Sequence, residues 1–256
     1  MAIKKWLLNW VKLQQKEGGI TPTGTINITE NGEHDVTDYA LADVNVPTAS
    51  IDDYLDKNLM SNASSASTAN AYIIRLIKKL NSPLTLSNNT SLMYGFYEMR
   101  ALTELPEITN ISTVTNMESI CVNCQELVTI PNWDTSSVTT LRQAFTNCYK
   151  IVTFPNWDTS HVTSFNQTFR KCLVLANVPI LNMSSATDIQ SMYSNSPALT
   201  DTSLDNILQS CINANPNLGN KTLAHMGFEA TNYAKARIQA LPHYNDFISA
   251  GWSIGY

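Results

Sequence analysis

Charge is scarce in this chain. Asp, Glu, Lys and Arg make up only 14% of its 256 residues, and the net charge is −5. There is no basic block, which argues against sequence-independent nucleic-acid binding, where Lys and Arg must neutralise phosphates. No apolar run approaches the roughly 20 residues that cross a bilayer as a helix. Glycine is rare, at 9 residues, and none lies in a phosphate-cradling loop or a G-x-S-x-G elbow. The four histidines, His34, His161, His225 and His243, are scattered and form no H-E-x-x-H pair. The five cysteines are odd in number, which suits a reduced protein made in cytoplasm. These absences leave no candidate catalytic residues and no metal or cofactor site. The expectation is a non-enzymatic protein with a surface rich in Ser, Thr and Asn.

What the chain has instead is a repeat. Val114, Val138, Val162 and Ala186 recur every 24 residues. Met117, Leu141, Phe165 and Ile189 keep the same step, as do Cys121, Phe145, Phe169 and Tyr193. So do Cys124, Cys148, Cys172 and Ser196, followed by Leu127, Ile151, Leu175 and Leu199. Pro131, Pro155 and Pro179 come next, then Trp133, Trp157 and Leu181. A fainter copy precedes them, with Thr90, Met93 and Tyr97 in register and Pro106 one residue early.

Each unit carries too few apolar residues to bury a core alone, so the units must stack. Identical positions then form ladders, with neighbours roughly 4.8 Å apart where they pair as parallel strands. Residues 127–131 and 151–155 read as the strand of each unit, closed by a proline that cannot donate to the ladder. Asp134 and Asp158 open Asp-Thr-Ser corners, where the carboxylate can accept a backbone N–H two residues on. The register also explains Cys121-Val-Asn-Cys124: its cysteines stand in two different ladders, so the C-x-x-C is read as core packing and not as a zinc or redox pair.

The phrase V-T-T-L-R-Q-A-F-T-N-C-Y-K-I-V-T-F-P at 138–155 resembles the BspA-like, bacterial surface-antigen type of leucine-rich repeat. The linking W-D-T-S-S-V and W-D-T-S-H-V are similar to a repeat variety of Firmicute and mycoplasma surface proteins and of their phages. The resemblance covers about residues 90–200. It implies an α+β fold: a leucine-rich-repeat solenoid with helical and β caps.

Around the repeats, residues 1–19 read as an amphipathic docking helix with Trp6 and Trp10 on its apolar side, ended by Gly18-Gly19. Such a helix could also lie on a membrane surface; docking against partner protein is the favoured reading. Residues 20–49 read as a small β-hairpin module, with strands at 25–29 and 44–46 and a turn at Asn31-Gly32. Residues 26–47 are similar to a short module of tail and appendage proteins of phages of Gram-positive hosts. Residues 50–89 hold a linker and a cap helix at 70–80. Residues 201–256 form the C-terminal cap, with helices at 204–214 and 230–241 and a last strand at 247–254. Asn220-Lys-Thr-Leu and Gly251-Trp-Ser-Ile resemble the ending of phage copies of this repeat.

The candidate partner-binding residues are Trp6 and Trp10 in the docking helix, and positions of the repeats that vary between units. These are Arg142, Tyr149, Lys150, Arg170 and Lys171, together with the strand residues Thr129, Thr153 and Asn177. Thr146 and Asn147 vary too and are expected to be exposed. Trp133 and Trp157 could stack on sugar rings, but Leu181 in their column favours packing. The lysines at 4 and 5 suggest a leader, yet Asn9 breaks the apolar stretch and no cleavage site follows. The leading expectation is a virion appendage protein, of tail or head, homo-oligomeric and without a membrane span. It would contact other virion proteins through residues 1–49 and a host glycan or protein through the repeats. The alternative is a bacterial surface adhesin.

Overall fold

The computed structural model describes residues 78–79, 84–86 and 90–256, together with two short paired strands near the N-terminus. Those strands, β1 (Thr21–Pro22) and β2 (Val44–Asn45), run antiparallel with Thr21 opposite Asn45. The strand expected at 25–29 lies outside the described residues, and Val44–Asn45 falls within the strand expected at 44–46. The helix over residues 1–19, with Trp6 and Trp10, the Asn31-Gly32 turn and most of residues 50–89 lie outside the described residues.

From residue 78 onward the chain coils through successive layers. Strands β3 (Leu84–Thr85) and β4 (Ile108–Thr109) pair in parallel, Leu84 beside Ile108. Beyond them, ladder contacts are single parallel bridges. One ladder links Ser91, Asn116, Thr140, Ser164 and Asp188; a second joins Glu104 to Thr129 and Thr153 to Asn177. The first of these ladders is absent from the strand reading of the sequence.

Between the ladders each layer turns by alternating backbone hands. Ser119 and Asn123 adopt left-handed φ of 55° and 65°, and Gln143 with Asn147, Gln167 with Lys171 and Ser191 with Asn195 repeat the pattern. The alternation points every second N–H at the next layer. Met117, Ser119, Cys121 and Asn123 donate to the carbonyls of Thr140, Arg142, Ala144 and Thr146 at 3.2, 2.9, 2.8 and 2.9 Å. The intervening N–H groups close tight turns, as Cys124 does on the Cys121 carbonyl at 3.1 Å. Every backbone donor named here is thereby paired without a helix or a long strand.

The first unit corrects the sequence register. Ser91 bridges Asn116 and Glu104 bridges Thr129, a step of 25. Leu92 and Phe96 donate to Asn116 and Ile120 in the way that Met117 and Cys121 donate to Thr140 and Ala144. Pro106 is therefore the true counterpart of Pro131, while Thr90, Met93 and Tyr97 are one residue out. A 3-10 turn, Ile111–Thr113, lies in the stretch between Pro106 and Val114 that holds the extra residue. A half-layer precedes this unit. The Lys78 carbonyl accepts the Thr103 N–H at 2.9 Å, and the Thr103 carbonyl accepts the Val128 N–H at 2.8 Å. Lys78 and Lys79 are thus outside any helix, contrary to the expected cap helix at 70–80; the rest of that segment lies outside the described residues.

The interior is one continuous apolar column set. Val114, Val138, Val162 and Ala186 are buried, as are Met117, Leu141, Phe165 and Ile189. The rings of Phe145 and Phe169 stack at 6.1 Å with 7° between planes, and Phe169 and Tyr193 continue at 5.4 Å and 16°. Trp133 and Trp157 also stack, at 5.7 Å and 17°, and both are buried.

Residues 201–256 close the far end. Helix α1 (Asp201–Ile212) is capped by Thr200, whose hydroxyl accepts the Ser203 N–H at 3.2 Å. Its polar side chains meet the open strand edge: Ser203 and Ser210 accept the N–H groups of Val178 and Leu181 at 2.9 and 2.8 Å, and Asn206 donates to the Val178 carbonyl at 2.9 Å. A sheet edge is covered here by side chains. Helices α2 (Lys235–Gln239) and α3 (Tyr244–Ser249) follow. The first is shorter than the expected 230–241. The second occupies part of the segment read as a last strand, of which only the Thr222–Ser253 bridge forms.

Candidate partner-binding surface

The stacking decides which variable positions reach the surface. Arg142 is exposed, but its guanidinium already holds the Glu118 carboxylate of the preceding layer at 2.6 Å. Thr146, expected outside, is buried, and its hydroxyl donates to the Gln167 carbonyl at 2.8 Å. Asn147 is half-buried and donates to Asn123 Oδ1 at 2.6 Å, while Asn123 in turn donates to Glu98. Lys150 is exposed; Tyr149, Arg170 and Lys171 are half-buried. Among the described residues, Lys150, Arg170 and Lys171 make no ion pair. Arg170 and Lys171 sit one layer beyond Asn147, whose N–H donates to the Arg170 carbonyl at 2.9 Å.

On the strand side, Thr129, Thr153 and Asn177 form an exposed polar column, with Asn177 donating to the Thr153 hydroxyl at 3.2 Å. Val128 and Val152 stand beside them, 50% and 43% exposed. The structure therefore brings Thr129, Thr153 and Asn177 into one column, while Tyr149 and Lys150 follow Asn147 closely in the chain and Arg170 and Lys171 lie in the layer that its N–H meets. Arg142 belongs to neither set. Trp6 and Trp10 lie outside the described residues.

A third column emerges only from the structure. Thr115, Thr139, Thr163 and Thr187 are exposed, and each hydroxyl donates to the carbonyl of the threonine one layer back, at 3.2, 3.0, 3.0 and 3.2 Å. The repeated Val-Thr of the first three units was its signal in the sequence. Since each hydroxyl proton is committed to the backbone, the column fixes its side chains but spends their donors.

The groups with reactive chemistry are turned inward. Cys121, Cys124, Cys148, Cys172 and Cys211 are buried free thiols. The thiols of Cys124, Cys148 and Cys172 donate to the carbonyls of Phe96, Cys121 and Phe145 at 3.0, 3.0 and 3.2 Å, and Ser196 makes the equivalent bond to Phe169 at 2.6 Å. Burial raises the Cys121 and Cys148 thiols well above their ordinary value and pushes Cys172 up to about 12. A thiol held protonated is a poor nucleophile and a poor metal ligand.

Corner carboxylates are occupied as well. Asp134 Oδ1 accepts the Ser136 N–H at 3.1 Å and its hydroxyl at 2.7 Å, and Asp158 accepts the Ser160 N–H at 2.9 Å. These bonds hold both carboxyls below the usual range, led by the Ser136 hydroxyl for Asp134 and the Ser160 N–H for Asp158. The tryptophans, a second sugar-stacking candidate, are buried. Trp157 Nε1–H donates to the Pro131 carbonyl at 2.9 Å, whereas Trp133 Nε1 has no partner.

Residues 89–208 match the family described as Mycoplasma protein of unknown function, DUF285. The match spans the stacked units and the first part of α1. No curated protein and no solved structure matches the chain.

Proposed function

We propose that this chain is a non-enzymatic appendage protein of a virus particle, attached through residues 1–49 and presenting a leucine-rich-repeat solenoid of the surface-antigen type to a host or partner molecule. The observation that carries the reading is the joining of two parts. One is a stack of similar layers whose reactive side chains are buried and whose outer corners carry variable polar residues. The other is the short module whose ends pair as β1 and β2, in the segment that resembles phage appendage modules. Two strands alone are too few for independent stability, so further packing against another chain is expected of this module.

The match to a Mycoplasma family favours a second reading, a cell-surface adhesin of the same repeat architecture. Mass spectrometry separates the two. Virion attachment predicts the protein in purified particles at constant stoichiometry and its loss from particles when residues 1–49 are deleted. The adhesin reading predicts it on the surface of cells that carry no phage. Particles that incorporate residues 50–256 normally would overturn the proposed role of the N-terminal part.

A further inference from the structure

The corner formed by Lys150, Arg170 and Lys171 stands apart from the rest of the stack. Lys79 is paired with Glu104 at 2.5 Å, Arg100 with Glu98 at 2.8 Å, Arg142 with Glu118 at 2.6 Å and Arg237 with Asp201 at 2.7 Å, while Lys78, Lys221 and Lys235 make no ion pair among the described residues. Lys150, Arg170 and Lys171 lie on adjacent layers without such a partner, in a chain whose net charge is −5. Glu126, one layer before Lys150 in the same column, is exposed and makes no ion pair with it. Arg170 and Lys171 also replace uncharged residues of the layers on either side, Thr146 and Ser194 for Arg170 and Asn147 and Asn195 for Lys171. Asn123, Asn147 and Asn195 hold the position of Lys171, at left-handed φ of 65°, 63° and 59° beside its own 59°. Asn is the side chain that tolerates this conformation best after Gly, so a lysine here costs conformational strain that the fold does not need.

We infer that this corner binds an acidic polysaccharide, which deepens the proposed function by assigning the class of its ligand and rests on that reading for its biological setting. Three unpaired cations supply attraction for carboxylate or phosphate groups spaced along a polymer. Around them Gln167, Ser194 and Asn195 offer amide and hydroxyl groups that can both donate and accept, as sugar hydroxyls require, whereas the amides of Asn123 and Asn147 are bonded to Glu98 and to each other. Leu173 and Val174, 45% and 41% exposed, and the half-buried Tyr149 add apolar surface for the C–H faces of sugar rings. The corner is an edge running across layers about 4.8 Å apart, a shape for an extended chain laid along the stack.

Titration of the full chain with polygalacturonate tests this. The triple variant Lys150→Glu, Arg170→Ser, Lys171→Asn uses only residues that the same columns already carry, as Glu126, Ser194 and Asn147, so the fold is retained. The control Lys221→Glu, Lys235→Glu makes the same change in net charge on the cap. Expected are saturable binding that weakens as salt screens it, at least a ten-fold loss in the triple variant, and less than a two-fold change in the control. Neutral dextran should not bind, and polyglutamate should bind at least ten-fold more weakly than polygalacturonate. Equal losses in both variants, absence of polygalacturonate binding, or equal binding of polyglutamate would overturn the assignment. Presence or absence of the protein in particles is unaffected by any of these results, so the inference can fail while the virion reading stands.

Discussion

The rings of Phe145 and Phe169, 24 residues apart in the chain, lie 6.1 Å apart and within 7° of parallel. Both are fully buried, and Phe154 packs edge-on against each, at 5.7 and 4.8 Å. Loss of one ring leaves a void between two layers that the neighbouring rings cannot both fill. Phe145→Ala should destabilise the protein by about 3–5 kcal/mol in urea denaturation. A shift below about 1 kcal/mol would mean that the ring does little to hold the layers together.

The thiols of the adjoining column give a kinetic prediction. Cys148 and Cys172 are buried with raised pKa values, so little thiolate exists at neutral pH. Labelling by iodoacetamide should be slow in the native protein and reach all five cysteines after unfolding, with or without reductant. Cys172→Ser should be tolerated, since Ser196 makes the equivalent bond in the next layer. Rapid native labelling would place the thiols outside the core.

Acid should weaken the corners. Asp134 and Asp158 have depressed carboxyl pKa values in the folded chain. Their stabilisation is therefore present above the ordinary carboxylate value and is lost as pH falls through the folded values, below about pH 4. Asn182 already takes the same role, accepting the Ser184 N–H at 3.0 Å. The double variant Asp134→Asn, Asp158→Asn should match wild type at pH 7 and lose less stability between pH 5 and pH 3. Parallel acid limbs for the two proteins would show that these carboxylates do not sense pH.

The C-terminal cap depends on a close approach. Gly227 has φ +89°, and a Cβ there would stand 2.6 Å from the Ser194 nitrogen and 2.7 Å from its Cα. Beside it, Ser191 and Tyr193 donate to the carbonyls of His225 and Met226, both at 2.8 Å. Gly227→Ala should cost about 1–3 kcal/mol through overpacking and raise amide exchange at Ser191 and Tyr193. Unchanged exchange would show that the cap does not seal this edge.

Much of the core was legible because side-chain type repeats at buried positions: the Phe145 and Cys148 columns follow directly from spacing. The first unit misled because Thr90, Met93 and Tyr97 match by type, while the backbone pairs Ser91, Leu92 and Phe96 instead. A one-residue insertion in a corner leaves no compositional mark. The left-handed corners were also hidden, since Ser119, Gln143, Gln167 and Lys171 are not residues that announce such a conformation. The sequence marked a helix at 204–214, but that Ser203, Asn206 and Ser210 cap Val178 and Leu181 depends on partners far along the chain. At the candidate surface, variability between units singled out Lys150, Arg170 and Lys171, of which Lys150 is exposed and the other two are half-buried. It could not show that Arg142 is neutralised by Glu118 or that Thr146 points inward.

The central claim is that the 24-residue register is a physical layer, and removing one layer tests it most directly. Deleting residues 138–161 joins Ser137 to Val162 and restores the repeated phrase. The shortened protein should unfold cooperatively in urea, with native near-ultraviolet dichroism and a smaller m-value in proportion to the surface lost. Deleting residues 122–144 instead joins Cys121 to Phe145, puts one extra residue into the alternating stretch between the ladders, and should leave no cooperative transition. If the two deletions behave alike, either both folded or both unfolded, the layers are not set by the register and the account is contradicted.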